Sequence, residues 1–107
     1  MPEDVELTVV TLRLDAADEA AAATLLAVLA KYVVVARGHE GCRNIDLVAS
    51  VTHPGRYLLV QKWDSPETQR RHFDSSEMVE MAEACRGLLS RPPDVDLWDG
   101  MSAHDLA

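Results

Sequence analysis

The stretch YLLVQKWDSPE, residues 57–67, contains the end of one strand and the start of the helix that follows it. Apolar and β-branched residues predict a strand from Arg56 to Trp63, with alternate side chains on opposite faces. Ser65 supplies a capping hydroxyl and Pro66 suits the first helical position, so a helix begins there. The rest of the fold is predicted outward from this strand-to-helix turn.

Upstream of this turn, the pattern predicts a strand, a helix and a second strand. They cover residues 5–14, residues from Asp15 to about 37, and residues 42–51. Asp15 is expected to cap the helix, with Asp18 in its first turn and Gly38 at its end. The turn at 52–55 then closes a hairpin onto the strand at 56–63.

Downstream, the helix that begins at Pro66 restarts or changes direction at 75–77 and continues to about Arg86. Pro92 and Pro93 separate it from a last strand at about 95–101, and residues 102–107 form a frayed tail or a partner-binding arm. The order β-α-β-β-α-β predicts an α+β, ferredoxin-like antiparallel sheet with helices on one face. Residues 1–107 form a single domain with its core at about 5–101.

Both faces of the predicted sheet carry apolar side chains. In the strand at 56–63, Leu59 and Trp63 point one way while Leu58 and Val60 point the other. Helices on one face would leave a second apolar face exposed to water, which soluble monomers avoid. We therefore expect a homodimer that pairs through this sheet face.

Composition and charge restrict the partners. The 107 residues include 10 Lys+Arg and 18 Asp+Glu, for a net charge of −8, which argues against nucleic acid and anionic membranes. No apolar run approaches the roughly 20 residues that span a bilayer, and the acidic N-terminus does not resemble a signal peptide. Cys42 and Cys85 are expected to be reduced thiols, so we predict a cytoplasmic protein.

Motifs for phosphate binding, serine hydrolysis or zinc binding are missing, and the four histidines lack metal-ligand spacing, so no metal is expected. One cluster remains, formed by Gln61, Trp63 and His72 around the strand-to-helix turn. An indole, an amide and an imidazole in one crevice could hold and deprotonate a flat phenolic compound. The alternative is that Trp63 is a core residue and His72 a helix residue with a satisfied hydrogen bond.

Three segments carry a resemblance to the antibiotic biosynthesis monooxygenase (ABM) family. HEGCR at 39–43 resembles that family's E-P-G-C turn, and residues 57–67 resemble its hydrophobic strand with Glu/Gln, Trp and an S/D-x-E step. HFDSS at 72–76 resembles its H-x-x-S step. The resemblance spans about 5–101 and implies ferredoxin-like protomers whose sheets pair into a dimeric α+β barrel.

The family includes cofactor-independent oxygenases that turn anthrones or hydroquinones into quinones with O2. The resemblance therefore implies an oxygenase without metal or flavin, acting on a hydrophobic aromatic molecule. Trp63 would form the pocket wall, and His72 or Gln61 would orient the substrate or relay its proton. Further substrate-binding candidates line the same pocket: Tyr57, Leu59, Phe73 and Met81.

Departures from the family leave other functions open. Leu59 and Gln69 stand where the polyketide-tailoring branch has a substrate-placing asparagine and tyrosine. The heme-degrading branch needs a first-strand asparagine, a helix tryptophan and a later histidine. This chain has no asparagine in its first strand, and it has His72 in place of the tryptophan and Met81 in place of the histidine. The alternatives are a non-catalytic dimer that binds a lipophilic ligand and, third, a heme-binding protein with His72 as axial ligand.

Overall fold

Seven elements make up the part of the chain that the structure, a computed structural model, describes, residues 7–101. They are β1 (Leu7–Asp15), α1 (Glu19–Ala36), β2 (Cys42–Ala49), β3 (Arg56–Trp63), α2 (Pro66–Phe73), α3 (Ser76–Ala84) and β4 (Asp94–Gly100). The strands form one antiparallel sheet in the order β2-β3-β1-β4. The predicted ferredoxin-like α+β fold is confirmed, with the second helix divided in two.

The register of the sheet lines up one row of side chains beneath the helices. Leu12 of β1 lies opposite Leu59 of β3, and Val10 lies opposite Gln61. The row continues into β2, where Ile45 pairs with Gln61. Because side chains alternate along a strand, these residues face the same side of the sheet. The hydrophobic core lies between this face and the buried side of α1.

The start of α1 corrects one sequence prediction. Asp15 does not cap the helix, because it stays in β1 opposite Arg56 and binds the guanidinium groups of Arg13 and Arg56 at 3.0 and 2.9 Å. Those bonds lower the pKa of the Asp15 carboxyl, mainly through the hydrogen bond from Arg13. The helix starts three residues later, where Asp18 accepts a hydrogen bond from the backbone N–H of Ala21 at 2.8 Å.

Other boundaries differ by a few residues. Ser75 caps α3 by accepting a hydrogen bond from the N–H of Met78, so the chain changes direction between α2 and α3 as expected. Strand β2 ends at Ala49 rather than 51, because the Ser50 hydroxyl accepts hydrogen bonds from the N–H groups of 52 and 53 and starts the turn. The predictions for residues 5, 6 and 102–107 lie outside the described residues.

Helix α1 is the most apolar element in the described chain. By length and composition it could cross a membrane, with a mean hydropathy of 1.7 over Glu19–Ala36. One side of this helix packs into the core through five buried residues: Leu25, Leu29, Tyr32, Val33 and Ala36. One side of α1 is therefore part of the hydrophobic core.

Candidate functional site

Four buried side chains form a continuous polar array at the C-terminal end of β3. The indole Nε1–H of Trp63 donates to Gln61 Oε1 at 2.9 Å, and Gln61 Nε2 donates to the Tyr32 hydroxyl at 3.0 Å. The Tyr32 hydroxyl lies 2.5 Å from His72 Nε2. Each of the four residues is at most 4% exposed, so their polar atoms must satisfy one another.

Three elements bring the array together. Gln61 and Trp63 occupy alternate positions of β3 and therefore share the helix-facing side, while Tyr32 lies on the buried side of α1. His72 comes from α2, which Ser65 caps by accepting a hydrogen bond from the N–H of Thr68. The turn after β3 therefore returns the chain over the end of its own strand.

A glycine contact positions α2. Gly41, just before β2, has φ +85°, and a Cβ at that position would lie 2.4 Å from the Cβ of Thr68. Its carbonyl also accepts the backbone N–H of Asp64 at 2.8 Å. Only glycine combines this backbone conformation with so close an approach, so Gly41 sets how tightly α2 packs against the site.

The donors in the array determine where the histidine proton lies. An indole N–H can only donate, so Gln61 must turn its oxygen to Trp63 and its NH2 to Tyr32. The Tyr32 oxygen thus accepts from Gln61, and its own proton is left to point at His72 Nε2. Burial raises the pKa of Tyr32 to about 12, which keeps that proton in place. His72 Nε2 is then the acceptor, and the ring proton lies on Nδ1.

The imidazole of His72 is held from two sides. Its ring stacks on Trp63 with centroids 4.7 Å apart and planes at 25°, and His39 contacts it edge-on at 4.6 Å. Burial, with a further contribution from the charge of His39, lowers the pKa of His72 to about 4, although Glu77 opposes the shift. His72 is therefore a neutral, fixed imidazole at neutral pH.

The Nδ1 atom of His72 is the free end of the array. It is buried and has no hydrogen-bond partner among the described residues 7–101. His72 lines a cavity of about 10 Å³, together with Tyr32, Gln61, Gln69 and five apolar residues. That volume holds about one water molecule, or one oxygen atom of a bound ligand. An unpaired buried donor is costly, and a polar atom of a bound molecule that reached Nδ1 would remove that cost.

A larger groove of about 600 Å³ adjoins the small cavity. The two share four lining residues: Leu12, Phe73, Met78 and Val95. Most of the groove wall is apolar and comes from β1, α3 and the segment between α3 and β4. An apolar groove that ends at a few fixed polar groups is typical of a small-molecule site.

The structure brings the three predicted catalytic candidates together, but only two of them line the small cavity. His72 and Gln61 line the small cavity, whereas Trp63 is fully buried and packs behind His72. Of the predicted substrate-binding residues, Phe73 and Met81 line the groove. Tyr57 and Leu59 belong to the hydrophobic core.

Sequence reasoning missed Tyr32, His39 and Gln69. In the sequence, Tyr32 has the spacing of the apolar stripe formed by Leu25, Leu29, Val33 and Ala36 on its helix, yet its hydroxyl connects Gln61 to His72. Gln69 is 6% exposed, lies one turn before His72 on α2 and lines the same cavity. The only sequence signal for Tyr32 or Gln69 is a polar group at a buried helical position, because such a group requires a partner or a ligand.

Metal and thiol chemistry find little support within residues 7–101. No group of three or more His, Cys, Asp or Glu side chains there could hold a metal ion. Cys42 and Cys85 are free, and burial raises the pKa of both thiols, so neither is an activated nucleophile.

Comparison with known proteins gives one family and a set of similar folds. The antibiotic biosynthesis monooxygenase family model matches residues 8–84, more than half of the chain. The chain is similar to Rv0793 from Mycobacterium tuberculosis, with 25% identity, 86% of this chain and 92% of that chain covered, and a TM-score of 0.78. It is similar in fold to a candidate antibiotic biosynthesis monooxygenase from Deinococcus radiodurans, with 18% identity and a TM-score of 0.83. That match covers 94% of this chain and 98% of the other. No curated protein matches the chain significantly.

Proposed function

The chain belongs to the antibiotic biosynthesis monooxygenase family, and on that premise we propose that it oxidises an aromatic, quinol- or anthrone-like molecule with O2 and without a cofactor. One observation carries the proposal: His72 lines a cavity with room for one oxygen atom, and its Nδ1 is buried without a hydrogen-bond partner among residues 7–101. The array behind it holds that donor in place.

The proposed reaction balances without a bound redox group. An anthrone loses a proton of its CH2 carbon to water as it binds and becomes an oxyanion, which is electron-rich enough to give an electron to O2. Its CH2 carbon is oxidised by four electrons to a carbonyl. One oxygen atom of O2 enters the product and the other leaves as water, taking the two hydrogens of that carbon. The protein's task is to bind the oxyanion, orient the ring and exclude water.

The pKa of His72 decides between two roles for this residue. A phenol has an ordinary pKa near 10, whereas burial lowers the pKa of His72 to about 4, so this imidazole is a weak acceptor for a phenolic proton. A general base this weak contributes little. His72 instead donates a hydrogen bond from Nδ1 to the oxyanion, a role worth about 3–4 kcal/mol in other enzymes. Trp63 acts as a positioning residue, through its stack on His72 and its bond to Gln61.

Oxygen consumption by metal-stripped protein tests the proposal. With chelator present and an anthrone as substrate, wild type should consume O2. His72→Phe should lower the rate by about 100-fold or more, because one oxyanion donor is lost. His53→Phe is the matched control, since His53 is exposed in the β2–β3 turn, and it should keep the wild-type rate. Uptake that stops with chelator, or survives His72→Phe, would contradict the proposal.

A ligand-binding protein without catalysis is the second candidate, and Gln69 favours it. Gln69 lines the small cavity and stands where the polyketide-tailoring branch has a tyrosine, so that substrate arrangement is not reproduced. This function requires saturable binding of a lipophilic ligand with no O2 consumption. Heme binding fits less well, because the Tyr32 hydroxyl occupies His72 Nε2 and the cavity that His72 lines is only about 10 Å³. A Soret shift abolished by His72→Ala would restore it.

We also propose a homodimer through the open face of the sheet. The support is a set of half-buried or exposed apolar side chains on that face: Val9, Val48, Leu58, Val60 and Trp98. Light scattering should give twice the chain mass of 11.8 kDa. Val60→Glu should give the single-chain mass, and Val34→Glu on the exposed side of α1 should not. A wild-type protein of single-chain mass at micromolar concentration would contradict the dimer.

A cytoplasmic location completes the proposal. It is supported by the free thiols of Cys42 and Cys85 and by the soluble fold. Fractionation of cells should recover the protein with soluble cytoplasmic markers, and recovery with membranes or in the medium would contradict this location.

A further inference from the structure

The charged residues that line the groove are both cationic. Among its lining residues, Arg86 and Arg91 are the charged side chains, and no carboxylate is present. The chain as a whole carries 18 Asp and Glu side chains and 10 Lys and Arg side chains, for a net charge of −8. A groove chosen at random on this surface would have an acidic bias. The candidate binding groove has the opposite bias.

We propose that the ligand of this groove is an aromatic carboxylate, whose acid group binds Arg86 and Arg91 while its reacting end lies beside His72. The inference takes its aromatic ligand from the proposed function and adds the anionic substituent. Both arginines lie on the part of the groove that does not belong to the small cavity, so the acid group and the reacting atom are at opposite ends of the ligand.

Both guanidinium groups are available to a ligand. Arg86 contacts Glu83 at 3.4 Å and Arg91 contacts Asp94 at 3.3 Å, with side chains 79% and 52% exposed. Exposed pairs of this kind contribute less than about 1 kcal/mol, so a carboxylate on a ligand can compete for the same N–H groups. A guanidinium group matches a carboxylate in shape and can bind it with two parallel hydrogen bonds.

The backbone that carries these arginines is fixed in advance. Leu89 forms a bridge with Ala16, and Ser90 donates its N–H to the carbonyl of Asp15 at 2.9 Å. The carbonyl of Leu88 accepts the N–H of Ala17 at 2.7 Å. The segment between the two arginines is therefore attached to the end of β1, which also forms part of the groove wall. Little backbone conformational entropy is lost when a ligand binds to such a segment.

Equilibrium dialysis with two probes, anthraquinone-2-carboxylate and its uncharged methyl ester, tests the inference. Wild type should bind the carboxylate about tenfold more tightly or better, since charged hydrogen bonds are the strong ones. The double variant Arg86→Gln/Arg91→Gln should bind both probes equally. The double variant Arg70→Gln/Arg71→Gln is the control: these arginines on α2 are also exposed and weakly paired, and the change in net charge is the same.

Several outcomes would overturn the inference. Equal binding of the two probes by wild type would remove the preference, and failure of both to bind would remove the groove as the site. Equal loss of preference in the two double variants would assign it to overall charge. O2 consumption with an uncharged anthrone, measured on the same proteins, reports separately on the oxygenase. Uptake without carboxylate preference defeats only the acid-binding assignment, and preference without uptake defeats only the oxygenase.

Discussion

The two halves of β3 differ sharply although they belong to one strand. Tyr57 and Leu59 face the helices in the first half, and Gln61 and Trp63 face them in the second. The first pair belongs to the hydrophobic core, whereas the second pair belongs to the polar array. Side chains alternate between the two faces of the sheet in the same way along the whole of β3. The difference between its halves therefore comes from the residues that pack over each half.

A pair of tyrosines shows the same contrast. The Tyr57 hydroxyl donates one hydrogen bond of 3.3 Å to the backbone carbonyl of Ala22, a single contact at the edge of the core. The Tyr32 hydroxyl connects two other side chains, and through them it orients the imidazole of His72. Buried polar groups therefore serve packing in one half of the sheet and the site in the other.

The largest stability effect should come from the packing half. Leu59→Ala should lower the free energy of unfolding by about 2–5 kcal/mol, because it leaves a cavity beneath α1. Val51→Ala is the control, since Val51 is 99% exposed and should change stability by less than about 0.5 kcal/mol. Urea titration measures both. If Leu59→Ala leaves stability intact but weakens ligand binding, the site extends into this half.

The next effect concerns acid. His72 has a pKa of about 4 in the folded protein and about 6.5 when unfolded, so between these values the unfolded chain binds a proton that the folded chain does not. The free energy of unfolding should therefore fall by up to about 3 kcal/mol as the pH drops from 6.5 to 4. The same measurement on His72→Phe should lack this component, and parallel profiles for the two proteins would contradict it.

Removing each tyrosine hydroxyl compares the two halves directly. Tyr32→Phe should cost about 2–3 kcal/mol, because it leaves the Gln61 NH2 and His72 Nε2 buried without partners. Tyr57→Phe should cost about 1 kcal/mol or less, since it removes one long hydrogen bond. Because the imidazole of His72 is then no longer held at Nε2, Tyr32→Phe should also raise KM or lower kcat of the proposed oxidation. Equal stability losses in the two variants would mean that the array is no more tightly coupled than the core.

The smallest stability effect should come from Gln69. Its side chain makes no hydrogen bond within residues 7–101, although it is 6% exposed. Replacing this amide by leucine removes no hydrogen bond within those residues, so it should change stability by less than about 1 kcal/mol. Binding of a quinone probe should nevertheless weaken if the amide contacts the ligand. A clear loss of stability in Gln69→Leu would instead give this residue a structural role.

Local patterns in the sequence were sufficient for the order of strands and helices. The predicted bounds of β3 agree with the structure, because both ends carry local signals in the turn before Arg56 and the cap at Ser65. The cap of α1 was wrong because Asp15 is held by Arg13 and Arg56, and the second of these pairings is 41 residues apart. Such a long-range ion pair has no signature in local propensity.

The site was predictable only where its residues flank one turn. Gln61, Trp63 and His72 lie within twelve positions of one another, so the strand-to-helix turn brings them together. Tyr32 lies 40 residues before His72 and has the spacing of the apolar stripe, which hid its role. Gln69 required knowledge of which side of α2 faces the sheet, and a helix rotation of one residue, about 100°, changes that.

The most direct test of the account is the ¹⁵N chemical shifts of the His72 ring nitrogens, measured from about pH 4 to pH 8 with and without an anthraquinone ligand. We predict a neutral ring with its proton on Nδ1, no titration near 6.5 and a change at Nδ1 when the ligand binds. Titration near 6.5, or an Nδ1 resonance that does not respond to a ligand that binds, would contradict the central claim that this buried N–H is the group that meets the substrate.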